Sequence, residues 1–231
     1  RNKSLLLRII MNKLTARDAI TTQLVFVRHG ESYGNLGLPT PDGYSEEDTP
    51  LTEYGMSQAQ ALADYWFDGV EIAHIYASPF SRTIQTIYPT AQKLGKKIEL
   101  MPDLLEYGST TAGCETERIE KDFPLAIPCK GDTSPAGGTM LLPVPESYEQ
   151  AQARAGRFIE YVRSIYQSGE TVIVSTHGTF FSYLVRAALN ADGKETFNSQ
   201  IDNSAITVVA LRKDNAPLLR TANNTSHLRT K

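Results

Sequence analysis

The sequence predicts an α/β fold built on a sheet buried on both faces. Two observations carry this. Four short apolar, strand-like runs alternate with longer helical patterns along the chain. Two of those runs, Leu24–Val27 and Thr171–Ser175, are nearly continuous β-branched or large apolar residues. Such runs suit strands covered by helices above and below.

Taken in order, Leu24–Val27 is the first strand. Residues 36–50 follow as a loop with three prolines, two glycines and four acids. Thr52 is a good N-cap for a first helix, with Glu53 in its positive first turn. Ala59, Leu62, Ala63 and Trp66 then share one face of it. Ile72–Ala77 is the next strand. A second helix is expected after Ser78, with Pro79 at its first position, where proline is tolerated best. Pro89 should kink or end that helix. Residues 107–145 are rich in Gly, Pro and Thr, with a short helical pattern near 116–123, and read as a lid or binding element. Helices are expected at about 146–167 and 179–190, around the strand 171–175, and a last strand at 205–211.

The chain has 231 residues, 41% apolar and 21% charged, with a net charge of −3. That is a globular composition, long enough to bury a core without disulfide or metal staples. No basic run points to nucleic acid, and no apolar stretch reaches the ~18 residues of a membrane helix. Residues 1–10 imitate a signal peptide, but Arg8 interrupts the apolar run and no A-x-A site follows. Cys114 and Cys129 have no CxxC spacing and read as unbridged thiols of a reducing, cytoplasmic compartment.

The chemistry gathers at strand ends. The first strand ends in Arg28-His29-Gly30, and the strand 171–175 runs into Thr176-His177-Gly178. Two of the four histidines therefore occupy the same place, each followed by glycine. Ligands of α/β folds bind outside the carboxyl ends of strands. Arg28 offers a planar fork matched to phosphate oxygens. Arg82 stands where a helix starts after the strand 72–77, beside backbone N–H groups that favour an anion. A net-acidic chain that collects such charge in one place is expected to bind a dianion there. Neutral imidazole can attack a phosphomonoester, two arginines and a second histidine can hold the oxygens, and a nearby carboxylic acid must protonate the leaving group. The residues show no HExxH, no His-x-His and no Cys-His spacing, so neither a metal nor any other cofactor is expected. No G-x-G-x-x-G follows a strand, which argues against a dinucleotide.

These pieces resemble the histidine phosphatase superfamily, which includes cofactor-dependent phosphoglycerate mutases. The matching segments are RHGES at 28–32 with Asn35, LTEYG at 51–55, SPFSRTIQT at 78–86, LLE at 104–106, PESYEQAQAR at 145–154 and STHG at 175–178. NSAIT at 203–207 and NNTSHL at 223–228 match more loosely. The resemblance implies a three-layer α/β/α sandwich with a mostly parallel central sheet. It implies one such domain over 21–231, with a lid insertion at about 107–145 and an N-terminal extension at 1–20. It further implies His29 as the phosphorylated nucleophile, with Arg28, Arg82 and His177 binding phosphate and Ser32, Asn35 and Gly178 helping to bind substrate. Gly178 stands where the phytase-like branch carries its acid, so the chain resembles the mutase-like branch, in which the general acid maps onto Glu106. Glu31 is the rival carboxylate and is expected to orient the loop instead. The usual G-x-W-E-G is replaced after Glu106 by Tyr107-Gly-Ser-Thr-Thr.

Residues 36–52 contain no Lys, Arg or Trp but do contain Asp42, Glu46, Glu47 and Asp48. Such a rim would repel the second anionic group of a phosphoglycerate. A metal-independent phosphatase acting on a small-molecule phosphate ester is therefore expected. The alternatives are a mutase and a non-catalytic phosphate-ligand binding module. His74 is expected to be structural, and His227, in a polar tail, has no role assigned.

Overall fold

A computed structural model describes residues 20–111, 113–128, 135–137, 145–191, 200–213 and 215–229. The N-terminal extension, Cys129 and much of the expected lid lie outside these residues. Seven strands form one sheet: β1 (Ile20–Arg28), β2 (His74–Ala77), β3 (Ile98–Leu100), β4 (Ala126–Ile127), β5 (Glu170–Thr176), β6 (Ile206–Arg212) and β7 (Leu218–Asn224). Their order is β4-β3-β2-β5-β1-β6-β7. β1 to β5 run parallel, β6 is antiparallel to β1, and β7 is antiparallel to β6.

Side chains alternate across the sheet, because successive Cβ atoms of a strand point to opposite faces. Leu24 and Phe26 of β1 join Val172 and Val174 of β5 on one face. There they pack on α5 (Tyr148–Ile165) and α6 (Gly178–Ala188) through Ala155, Phe158, Val162, Phe181 and Leu184. Val25, Val27 and Ile173 point the other way, onto α2 (Glu53–Tyr65) and α3 (Ser81–Leu94) through Leu62, Ile84, Ile87 and Ala91. The result is three layers, with a sheet covered on both faces, as the unbroken apolar runs require. Phe158 is fully buried at the centre of one layer, a position where truncation to Ala typically costs ~3–5 kcal/mol.

Local chemistry sets the helix ends. Ser147 accepts a hydrogen bond from the Gln150 N–H at 3.3 Å, and Gln150 Oε1 accepts one from the Ser147 N–H at 2.8 Å, a capping box that starts α5. Thr52 Oγ1 accepts from the Gly55 N–H at 3.0 Å and starts α2. Helix α3 departs from expectation at both points. It begins at Ser81, with Phe80 extended before it, rather than at Pro79. It then runs through Pro89 to Leu94 and ends on Gly95 in the left-handed region at φ 63°. The buried face formed by Ile84, Ile87 and Ala91 holds the helix together across the missing N–H, outweighing the ~3 kcal/mol local cost of an interior proline. Two further helices, α1 (Tyr33–Leu36) and α4 (Thr116–Asp122), lie in connections. Among the described residues no helix is long and apolar enough to cross a membrane.

Candidate active site

The parallel register brings the ends of three strands to one edge. Arg28 pairs with Thr176 across β1 and β5, and Ala77 pairs with Ser175 across β2 and β5. The ladder continues one step further: the His29 N–H donates to the Thr176 carbonyl at 3.0 Å and the Ser78 N–H to the Ser175 carbonyl at 3.0 Å. His29, Ser78 and His177 therefore emerge side by side. The two imidazole rings stand 5.5 Å apart at 66°. They sit at a cleft of about 740 Å³ lined by Arg28, His29, Ser32, Asn35, Arg82, Glu106 and Gly178, among others.

His29 is buried, with only 3% of its surface exposed. Its Nδ1 lies 2.7 Å from the Gly30 carbonyl oxygen. A carbonyl only accepts, so Nδ1 carries the proton and Nε2 keeps its lone pair. Burial lowers the imidazole pKa well below its ordinary value, and the Arg82 and Arg28 charges lower it further, against the opposing Gly30 bond. His177 is fully buried and shifted the same way, first by burial and then by Arg82. Its Nε2 pairs with Ser78 Oγ at 2.8 Å, and its Nδ1 has no partner among the described residues.

The loop after His29 is held from several sides. The Gly30 N–H donates to Thr86 Oγ1, which in turn donates to the Arg82 carbonyl. The His29 carbonyl accepts from the Ser204 N–H at 3.1 Å and from Asn203 Nδ2 at 3.1 Å. Ser32 caps α1, accepting from the Asn35 N–H. Asn35 Oδ1 accepts from the Ser32 N–H at 3.2 Å and from Asn203 Nδ2 at 2.9 Å. Glu31 is absent from the cleft lining and turns to α2, where its carboxylate accepts from Thr52 Oγ1 at 2.8 Å. A Cβ on Gly55 would stand 2.0 Å from the Glu31 carbonyl oxygen, so this contact requires a glycine.

The two arginines reach the cleft from different elements. Arg28 ends β1 and donates to the Ile201 carbonyl. Arg82 lies in the first turn of α3 with its guanidinium 4.4 Å over the Phe80 ring. Burial lowers both guanidinium pKa values, but arginine stays protonated in proteins. Gly178 makes room for Arg28: a Cβ there would lie 3.1 Å from Arg28 Nε and 3.3 Å from Cζ.

Glu106 lines the same cleft from the turn after β3. His177 is the N-cap of α6 and makes no side-chain cap bond. Glu106 takes that place: Oε1 accepts from the Phe180 and Tyr107 N–H groups, both at 2.8 Å, and Oε2 from the Thr179 N–H at 3.3 Å. A carboxylate at a helix N-terminus satisfies donors the helix cannot.

Several expectations need correction. Asp48 is not part of an acidic rim. It is buried, and accepts from the Ser81 N–H at 2.7 Å and Ser81 Oγ at 2.6 Å, capping α3 from a distant loop. Glu46 and Glu47 do line the cleft, whereas no described residue of 107–145 does. Arg118 lies 4.1 Å over the Tyr44 ring. His227 is not in a solvated tail: it is 2% exposed, with Nε2 2.7 Å from Ser204 Oγ. His74 pairs with Glu99 at 3.0 Å, a structural contact as expected. Sequence reasoning missed Asn203 and Ser204, whose only signal was the loose NSAIT match.

Comparison with known proteins agrees with this geometry. Residues 24–225 match the histidine phosphatase superfamily, branch 1. A bifunctional protein of Mycobacterium tuberculosis is 29% identical over 219 residues, covering 93% of this chain and 57% of that protein. The chain therefore spans just over half the length of that relative. The 55 kDa subunit of yeast (Saccharomyces cerevisiae) transcription factor tau is 28% identical over 172 residues, covering 68% of this chain and 39% of the subunit. The alpha-ribazole phosphatase of Shigella flexneri superposes with a TM-score of 0.61 at 21% identity, covering 88% of this chain and 96% of that one. The phosphoserine phosphatase of Entamoeba histolytica, bound to phosphoserine, gives 0.59 at 21% identity, covering 90% and 99%. The chain belongs to the histidine phosphatase superfamily.

Proposed function

We propose that this member of the histidine phosphatase superfamily hydrolyses small phosphomonoesters through a phosphohistidine on His29. The observation that carries the reading is the His29 tautomer. Its Nδ1 proton is committed to Gly30, so Nε2 faces the reaction as a neutral nucleophile. The dianion would rest between Arg28, Arg82 and the His177 Nδ1 proton, with Asn35 and Ser32 at its edge. As the Nε2–P bond forms, the P–O bond to the alcohol breaks, and Glu106 gives its proton to the departing oxygen. Glu106 then takes a proton from water as the water oxygen attacks phosphorus and the N–P bond breaks. Inorganic phosphate leaves and His29 is restored. The arginines supply the positive charge, so no metal is needed.

Among the described lining residues the cations are Arg28 and Arg82, and the remaining charges are Glu46, Glu47 and Glu106. Nothing there would hold the second anionic group of a phosphoglycerate, which favours hydrolysis over mutase transfer. The test is the leaving group, assayed in EDTA. An alkyl phosphate releases a basic alkoxide and needs the acid; a nitrophenyl phosphate does not. Glu106→Gln should slow the alkyl ester about 10²- to 10⁴-fold and largely spare the nitrophenyl ester. Equal loss on both esters, or activity that appears only with added Mg²⁺ or Zn²⁺, would contradict the proposal.

A further inference from the structure

We infer that Arg154 and Glu146, which touch neither phosphate nor cleft, are positioning residues that set the placement of Glu106; this rests on the proposed acid role of Glu106. Arg154 projects from α5 into the core, 2% exposed, beneath the turn that carries Glu106. Its Nη1 donates to the Asp103 carbonyl at 3.0 Å and to the Leu105 carbonyl at 2.7 Å. Its Nε and Nη2 donate to the two Glu146 oxygens at 2.9 and 2.8 Å, a bidentate pair. Glu146 Oε2 also accepts from the Gly108 N–H at 3.2 Å. The pair thus grips the chain just before Glu106 and two residues after it. The Arg154 guanidinium also lies 3.7 Å over the ring of Phe180, and the Phe180 N–H is one of the donors to Glu106. One buried ion pair therefore fixes both the backbone that carries the carboxylate and the helix end that receives it.

Stability alone is a weak reason to bury such a pair. Well-packed apolar residues of similar size are often as stable or more so. Catalytic placement is a stronger one, since a displacement of ~1 Å can cost roughly 10²-fold in rate. Lysine cannot replace the fork, because a single ammonium cannot span two carbonyls and a bidentate carboxylate.

The test measures the ratio of alkyl-phosphate to nitrophenyl-phosphate turnover on the same sample, which cancels any loss of folded protein. Arg154→Lys and the double variant Arg154→Met/Glu146→Met are compared with the parent; the double variant removes both buried charges together. The ratio should fall roughly 10- to 100-fold in each. In a Glu106→Gln background the same changes should lower it no further, because the acid they serve is gone. A parallel loss on both esters, or an unchanged ratio, would show a merely structural pair and overturn the inference. The Glu106→Gln single variant separates the two readings. If it lacks leaving-group selectivity, the acid assignment fails; if it is selective while the Arg154 variants are not, the positioning role fails.

Discussion

A single hydrogen atom separates glycine from alanine at 178, and the site depends on it. Glycine there gives α6 a poor helix residue, yet it leaves the Arg28 guanidinium room beside the helix end. Gly178→Ala would press a methyl against Nε and Cζ. Overpacking of this kind typically costs ~1–3 kcal/mol, and here the strain falls on a phosphate ligand. The expected outcome is weaker inhibition by inorganic phosphate or vanadate, by roughly tenfold, with the melting temperature little changed. Unaltered inhibition would mean that Arg28 does not hold the phosphate in this pose. The residue scale was also where the sequence was most legible. His29 and His177 each close a long β-branched strand and precede a glycine, so their convergence could be read before any coordinates. Glu106 could be reached only through the family resemblance, because its partners, Thr179 and Phe180, are distant in sequence.

Elements were legible where their cores were apolar and illegible where their ends were tertiary. Strands β1 and β5 and helices α2 and α5 announce themselves through runs, caps and periodicity. Strand β3 has three residues and β4 two, too short for any pattern, and β7 reads Leu-Leu-Arg-Thr-Ala-Asn-Asn on a half-exposed edge. Helix α3 was placed two residues early because its cap lies elsewhere in the chain. Asp48, 33 residues before Ser81, supplies what Phe80 cannot. Asp48→Ala should therefore destabilise the protein by ~0.5–2 kcal/mol, the usual worth of an N-cap. It should also lower activity on both ester types together, since Arg82 rides on the first turn of that helix. Urea midpoints and paired assays check this. A variant as stable as the parent would deny the capping role.

At the scale of the whole molecule, three buried histidines couple folding to pH. His29, His177 and His227 all have folded-state pKa values lowered chiefly by burial, His227 to about 4. The unfolded chain, with histidine near 6.5, binds more protons between these limits. Their stabilising contribution is thus fully present above pH 6.5 and is lost as pH falls toward 4. For His227 alone the loss by pH 5 is about 2 kcal/mol. Urea unfolding at pH 7.5 and pH 5 should show a smaller difference in His227→Gln than in the parent, while His29 and His177 keep part of it. An identical difference in both proteins would mean that His227 is not buried as a neutral ring. This coupling could not be read from the sequence, where His227 sits among polar residues and only the folded chain places it against Ser204.

The same fold-wide arrangement makes one claim testable above the others. A sheet whose parallel strands deliver two imidazoles and two arginines to one edge should pass through a phosphorylated enzyme. The direct measurement is rapid mixing with a ³²P-labelled or nitrophenyl phosphate ester, quenching in alkaline denaturant to preserve a phosphoramidate, and peptide mass spectrometry. The account predicts one phosphate, acid-labile, on His29, absent in His29→Ala together with turnover. Phosphate on another residue, or a His29→Ala protein that turns over like the parent, would contradict it.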